Sequence, residues 1–308
     1  MRVPVLLIVG FLGAGKTTVV NHLLANADGR RIAAVVNDFG SVDIDAELIT
    51  GAEGGVVSLA NGCICCTLEG ELLRTLAKLL RHEPRPEAIV IETSGVADPT
   101  DIVRNLMDPV VFDEAPLETV LCVVDGAAPE PLSDPLLQSQ IRAADVIALS
   151  KLDLAEPSQA QRTRMAAARI NPRAAIVDAI NGDIPVAVLF PPDPDQPAAP
   201  RPLSGVPPVK AHFETTTWTA SRPVSLHRFQ AAIGKLAPRV VRAKGFFESI
   251  EQPGRQFLLQ LAGARATVTP AGASSPDRPR VRIVFIAAAG TLPSAEIFET
   301  MKEMQELS

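Results

Sequence analysis

Tyrosine is absent from this chain, tryptophan occurs once, and aromatic residues make up only 4% of it. Base stacking as a main activity on nucleic acid is therefore disfavoured. Cysteine is scarce too. Four residues, three of them nearly adjacent, cannot make a disulfide framework, so a reducing compartment is expected. The four histidines, His22, His82, His212 and His227, are too scattered for a metal-binding tract, and each reads as a surface or core residue. No apolar run approaches the roughly 20 residues that a membrane-crossing helix needs. The charged start followed by Val3–Val9 looks superficially like a secretory signal, but cleavage there would destroy the phosphate-binding motif that follows. The run is expected to be a buried first strand, and the protein to be cytoplasmic, with no membrane partner.

What is present is ordinary for a globular protein: 308 residues, 47% hydrophobic and 21% charged, enough for a large core and two domains. The net charge of −6 hides an asymmetry. Residues 1–190 carry 15 Lys/Arg against 25 Asp/Glu, whereas residues 209–308 carry 13 against 8. A basic half can bind RNA or an acidic partner. The plainer reading is a solvated face, or docking onto the acidic half.

Apolar runs alternate with helical patterns through the first 190 residues, as a doubly wound, mostly parallel α/β sheet requires. Strands are expected at Val3–Val9, Ile32–Val36, Val56–Leu59, Ala88–Glu92, Thr119–Val124, Val146–Leu149 and Ala175–Val177. Helices are expected to start at Thr17, Leu68, around Pro99, near Pro135 and at Pro157. Residues 191–208 are Pro-rich and read as a semi-rigid linker. Residues 209–308 then alternate strands with two helices, around Leu226–Leu236 and after Pro293, as a small α+β domain.

Gly10-Phe-Leu-Gly13-Ala14-Gly15-Lys16-Thr17-Thr18 follows an apolar strand and opens a helix, the context of a phosphate-binding loop. Backbone N–H groups of the loop and the helix N-terminus would face the phosphates. Lys16 would bridge the outer phosphates and Thr17 would ligate Mg²⁺. Ile89–Glu92 is an apolar strand ending in an acid, with Thr93-Ser94-Gly95 after it, where such proteins place a metal-side acid and a glycine that senses the terminal phosphate. Ser150-Lys151-Leu152-Asp153 ends another apolar strand. Asp153 can accept both N–H groups of guanine's Watson–Crick edge, and the Lys151 stem would cover the base. The usual guanine motif begins with Asn; Ser150 stands there instead. The plainer reading of these four residues is a surface turn.

Cys63-Ile64-Cys65-Cys66 lies between these segments. Thiolates suit Zn²⁺, Cu⁺ or Co²⁺. The spacing is too tight for a structural zinc knuckle, and three thiolates leave a position open, which suits transfer of a metal better than permanent structure. A redox pair, or small buried residues, are the alternatives. Cys122, alone in an apolar strand, reads as core.

Taken together, GFLGAGKTT, NDFG, NGCICCTLEGEL, ETSGVADP and SKLD, in this order and spacing, resemble the CobW-type metallochaperone GTPases. The stretches Arg242–Phe247 and Arg282–Ile286 resemble that family's C-terminal domain, so the resemblance spans nearly the whole chain. It implies a GTPase in which Cys63, Cys65 and Cys66 bind zinc or cobalt and GTP state controls loading and release. Lys16 and Thr17 then handle phosphates and Mg²⁺, Glu92 is the catalytic-side acid, and Asp153 reads guanine. Asp38 belongs to a switch segment, one methylene shorter than the family's usual Glu, and Ser41 replaces a common second acid. Asp45 is a candidate Mg²⁺-side or switch acid, or else a solvated turn residue. The expected partners are GTP or GDP and a client metalloprotein. Monomer and dimer both remain open. The competing functions are an ATP-using ATPase or kinase, and a GTP-switched regulatory or RNA-associated adaptor.

Overall fold

The computed structural model describes residues 2–27, 29–36, 56–58, 68–128, 132–191, 213–273, 278–302 and 304. The chain divides into two compact units, Met1–Phe190 and Pro191–Ser308. In the first, seven strands among the described residues form one sheet: β1 Val5–Val9, β2 Ile32–Val36, β3 Val56–Ser58, β4 Ala88–Glu92, β5 Leu117–Asp125, β6 Val146–Ser150 and β7 Ala175–Ala179. Their order is β3-β2-β4-β1-β5-β6-β7, and every neighbouring pair is parallel.

A parallel sheet covered by helices on both faces needs strands that are apolar on both faces. The run Val-Leu-Leu-Ile-Val of β1 meets this need. Val5, Leu7 and Val9 join one core cluster with Leu72 and Leu76, while Leu6 and Ile8 are equally buried on the other face. Among the described residues, the helices of this unit are α1 Lys16–Ala25, α2 Leu68–Leu80, α3 Pro99–Leu106, α4 Pro109–Phe112, α5 Pro135–Ala143, α6 Pro157–Ile170 and α7 Val186–Leu189. Proline opens four of them, which explains part of the high proline count. At the first helical position its missing N–H costs nothing and its φ is already helical. Asp98 caps α3 by accepting from Thr100 N at 2.8 Å, and Asp134 caps α5 through Leu136 N and Leu137 N at 2.8 and 3.0 Å. The four-residue helices α4 and α7 were not expected, because a single turn carries no readable periodicity.

The second unit is a five-stranded antiparallel sheet. Its strands are β8 Phe213–Ala220, β9 Val240–Ser249, β10 Gln252–Ala262, β11 Arg265–Ala273 and β12 Val281–Ala288, in the order β11-β10-β9-β12-β8. Helices α8 Leu226–Leu236 and α9 Ser294–Lys302 contribute Phe229, Ile233, Ile297 and Met301 to a core with Trp218, Phe247 and Phe285. Phe229 and Phe247 stack with ring centroids 4.1 Å apart. Several of the unit's surplus cations are engaged within it. The Arg282 guanidinium lies 4.7 Å from the Phe246 ring centroid, Arg280 pairs with Glu248 at 2.7 Å, and Arg239 pairs with Glu296.

The α8 N-terminus is capped from outside its own strand–helix connection. Glu251 accepts from Leu226 N at 3.1 Å through each carboxylate oxygen, and from Ser225 Oγ at 3.0 Å. The hydroxyl of Ser249 donates to it as well, and chiefly that bond holds the Glu251 carboxyl down at about 2. A depressed carboxylate pKa adds stability that is present above the unfolded value of 4.5 and is lost as pH falls toward about 2. Glu251→Gln is therefore expected to lower the melting temperature of this unit at pH 7. The gap from the parent protein should close as the pH is brought from 4.5 toward about 2 in a calorimetric series.

Candidate nucleotide site

In a parallel sheet all strands end at the same edge, and ligands bind there where the strand order reverses. Here the reversal is at β1, flanked by β4 on one side and β5 on the other. The loops that follow β1, β4, β5, β6 and β7 all emerge at this edge, and they carry the residues expected to form the site.

The phosphate loop closes tightly between β1 and α1. Gly13 and Gly15 take left-handed φ values of 71° and 96°, open to glycine without strain. Ala14 is buried, Ala14 N donates to Phe11 O at 3.2 Å, and Lys16 Nζ donates to the same carbonyl at 3.2 Å. Lys16 is only 8% exposed, so its charge sits within the loop rather than in bulk water. Gly10 closes the strand side of the loop, and Thr18 is exposed on α1.

Strand β4 runs beside β1 with Ile8 opposite Glu92. That register delivers the carboxylate to the start of α1, where Thr17 Oγ1 donates to Glu92 Oε1 at 2.8 Å. Glu92 is 1% exposed. A hydroxyl and a carboxylate side by side, both hard oxygen donors next to the phosphate loop, fit Mg²⁺, which is commonly shared between such side chains and substrate phosphates. Past Glu92, Thr93 is tied to Ile8 O through both its N–H and its hydroxyl, at 3.0 and 3.2 Å. Gly95 then passes so close to the phosphate loop that a Cβ on it would lie 2.6 Å from Leu12 N. Only glycine allows this approach.

On the other side of β1, Ser150 Oγ donates to Ala14 O at 2.6 Å and lies 3.2 Å from Val124 O. The residue that departs from the usual Asn thus ties the loop after β6 to the phosphate loop. Lys151 has a left-handed φ of 52°, and its ammonium pairs with Asp125 at 2.7 Å. Asp153 is exposed two residues further on. Asp125 was not singled out in the sequence, although an acid ending a buried strand, followed by glycine, was the available signal. The turn Ile180–Gly182 was also missed. It packs on α1 so closely that a Cβ on Gly182 would lie 2.6 Å from Thr18 O, and it leaves Ile180 47% exposed. No local residue pattern marks such a turn.

A third omission is Gln140 on α5. It is fully buried, and its Nε2 donates to Gly95 O at 3.3 Å and Ala97 O at 3.1 Å.

Asp38, Asp45, Cys63, Cys65 and Cys66 lie outside the described residues, as does His212. Cys122 is fully buried in β5, and burial pushes its thiol up to about 12, in line with a core role. His22 sits 3.2 Å from Asp183, while His82 and His227 are exposed. No group of His, Cys, Asp and Glu suited to a metal occurs among the described residues, and no helix among them is long and apolar enough to cross a membrane.

A phosphate loop at the switch point of a parallel sheet, with a buried strand-end carboxylate beside its threonine, defines a P-loop nucleotide-binding protein. The chain belongs to the CobW family: residues 4–178 match the CobW/HypB/UreG nucleotide-binding domain and residues 213–305 the cobalamin synthesis protein cobW C-terminal domain. Among curated proteins it is 34% identical over 221 residues to the zinc chaperone CobW of a Sinorhizobium species, covering 61% of this chain and 62% of that one. It is 37% identical over 195 residues to the zinc chaperone YjiA of Escherichia coli, covering 61% of each. The matches thus span about three-fifths of these relatives. A zinc-bound triple mutant of the YjiA GTPase aligns over 99% of this chain and 100% of its own, with 26% identity and a TM-score of 0.50.

Removing the Ser150 hydroxyl should loosen the phosphate loop without touching Asp153. Ser150→Ala is expected to weaken GDP and GTP alike, by about five- to tenfold, the worth of one buried hydrogen bond. Titration of both nucleotides against the folded variant checks this.

Proposed function

We propose that this chain is a cytoplasmic, Mg²⁺-dependent GTPase acting as a metallochaperone, with GTP state gating the loading and delivery of a transition metal, zinc or cobalt, at Cys63, Cys65 and Cys66. The observation that carries the nucleotide half is the 2.8 Å pairing of Thr17 with Glu92 beside the phosphate loop. The metal half is supported by the Cys-x-Cys-Cys sequence and by relatives that bear the name zinc chaperone.

In this reading the loop N–H groups, Lys16 and the N-terminus of α1 hold the phosphates. Thr17 and Glu92 hold Mg²⁺, which when bound neutralises charge on the outer phosphates. Asp153 accepts the two N–H donors of guanine, and the Lys151–Asp125 pair fixes the loop that presents it. Water displaces GDP from the terminal phosphoryl group, giving GDP and phosphate. Turnover by the chain alone is slow, because neither a water-positioning glutamine nor an arginine finger is assigned, and such groups supply several powers of ten elsewhere. The client metalloprotein is the proposed source of the missing group.

The coupling is a shared switch. The terminal phosphate orders the segments around Asp38 and Gly95, and the three cysteines lie between them in sequence. GTP gathers the thiolates and hydrolysis releases them, an order–disorder device of the kind used by other nucleotide switches.

Zn²⁺ affinity should be at least about tenfold higher with a slowly hydrolysed GTP analogue than with GDP, and Cys65→Ser with Cys66→Ser should abolish the difference. Equal affinities in the two nucleotide states would sink the coupling. Base choice is tested separately. Asp153→Asn should cost GTP about tenfold or more in affinity while leaving ATP unchanged, because one of two donors loses its acceptor. Equal binding of ATP and GTP by the parent protein would point to the kinase or ATPase class instead.

A further inference from the structure

Helix α5 lies outside the nucleotide loops, yet two consecutive side chains on it reach the segment that follows β4. Ser139 Oγ lies 3.5 Å from each oxygen of Asp98, the residue that caps α3. Gln140, with no exposed surface, places both donors of its amide on that segment, at Gly95 O and Ala97 O. Its Oε1 is buried and has no hydrogen-bond partner among the described residues.

A buried amide with an unmatched acceptor is unfavourable for folding, and an apolar side chain of the same shape would avoid the cost. What Gln140 does provide is a fork across two carbonyls one residue apart, Gly95 and Ala97, with Val96 between them. These are the carbonyls of the turn that presses against Leu12 of the phosphate loop. The turn's internal bond, Ala97 N to Ser94 O at 3.1 Å, closes it but does not locate it relative to the sheet. Gln140 supplies a fixed point from a helix that is separate from both the turn and the phosphate loop.

We infer that Gln140 is a positioning residue for the nucleotide switch: it holds the Gly95 turn at the distance from the phosphate loop where Gly95 N–H meets a terminal phosphate. The inference rests on the reading of Gly95 as the phosphate sensor. GDP lacks that phosphate, so a defect in this fork separates the two nucleotides, whereas a general packing defect weakens both.

The test uses the full chain with Gln140→Leu, and with Gln140→Met as the more adaptable near-isostere should the leucine variant fail to fold. Affinities for GDP and for guanosine 5′-(β,γ-imido)triphosphate are measured alongside the melting temperature. The expected result is GDP affinity within about twofold of the parent and imidotriphosphate affinity lowered by about tenfold, the scale of one lost buried hydrogen-bonding interaction. Gly95→Ala, which forces a Cβ against Leu12 N, serves as the control. If Gly95→Ala shifts the preference between the two nucleotides and the folded Gln140 variant does not, the role of Gln140 is overturned while the reading of Gly95 stands. If Gly95→Ala leaves the preference unchanged, the reading of Gly95 falls and the inference with it.

Discussion

The contact between Thr17 and Glu92 joins residues 75 positions apart, and it exists because β4 lies directly beside β1 with Ile8 opposite Glu92. No strand separates the one that feeds the phosphate loop from the one that ends in the acid. With that register, the loop, the acid and the glycine turn beyond it fall within hydrogen-bonding reach. A slip of one residue would put the carboxylate on the other face of the strand. The same parallel geometry brings Ser150 from β6 to the far side of the loop, where its hydroxyl meets Ala14 O. The phosphate loop is thus gripped from both flanks by side chains whose strands have no reason to be neighbours except the sheet.

Long apolar runs and proline-led helices were readable directly from the chain. Ile32–Val36 and Ala88–Glu92 match their expected bounds, and β1 starts two residues later than its apolar run. Pro99, Pro135 and Pro157 each open a helix, because proline restricts the backbone in a way that neighbouring residues cannot override. Gln140 and Ile180–Gly182 leave no mark in the sequence for a common reason. Each acts through a partner far along the chain, and nothing beside it in sequence records that partner. Lys151 shows the limit from the other side: the residue was recognised, but its pairing with Asp125 follows from β5 and β6 being adjacent, a fact of topology.

Charge asymmetry between the halves invited a reading in terms of partners, and the C-terminal sheet gives part of it an internal explanation. Arg282 lies over Phe246, Arg280 meets Glu248, and Arg239 meets Glu296. These cations tie strands and helices of one unit together. A formal count of charges treats them as surface field, whereas the structure employs them as fasteners with their own short-range partners.

Cys122 has an experimental consequence. Thiol-directed reagents act on the thiolate. This thiol, fully buried in the strand beside β1 and raised to about 12, reacts only when the core around β5 opens. Its rate of modification therefore reports how often the core around β5 opens, much as amide exchange reports sub-global opening.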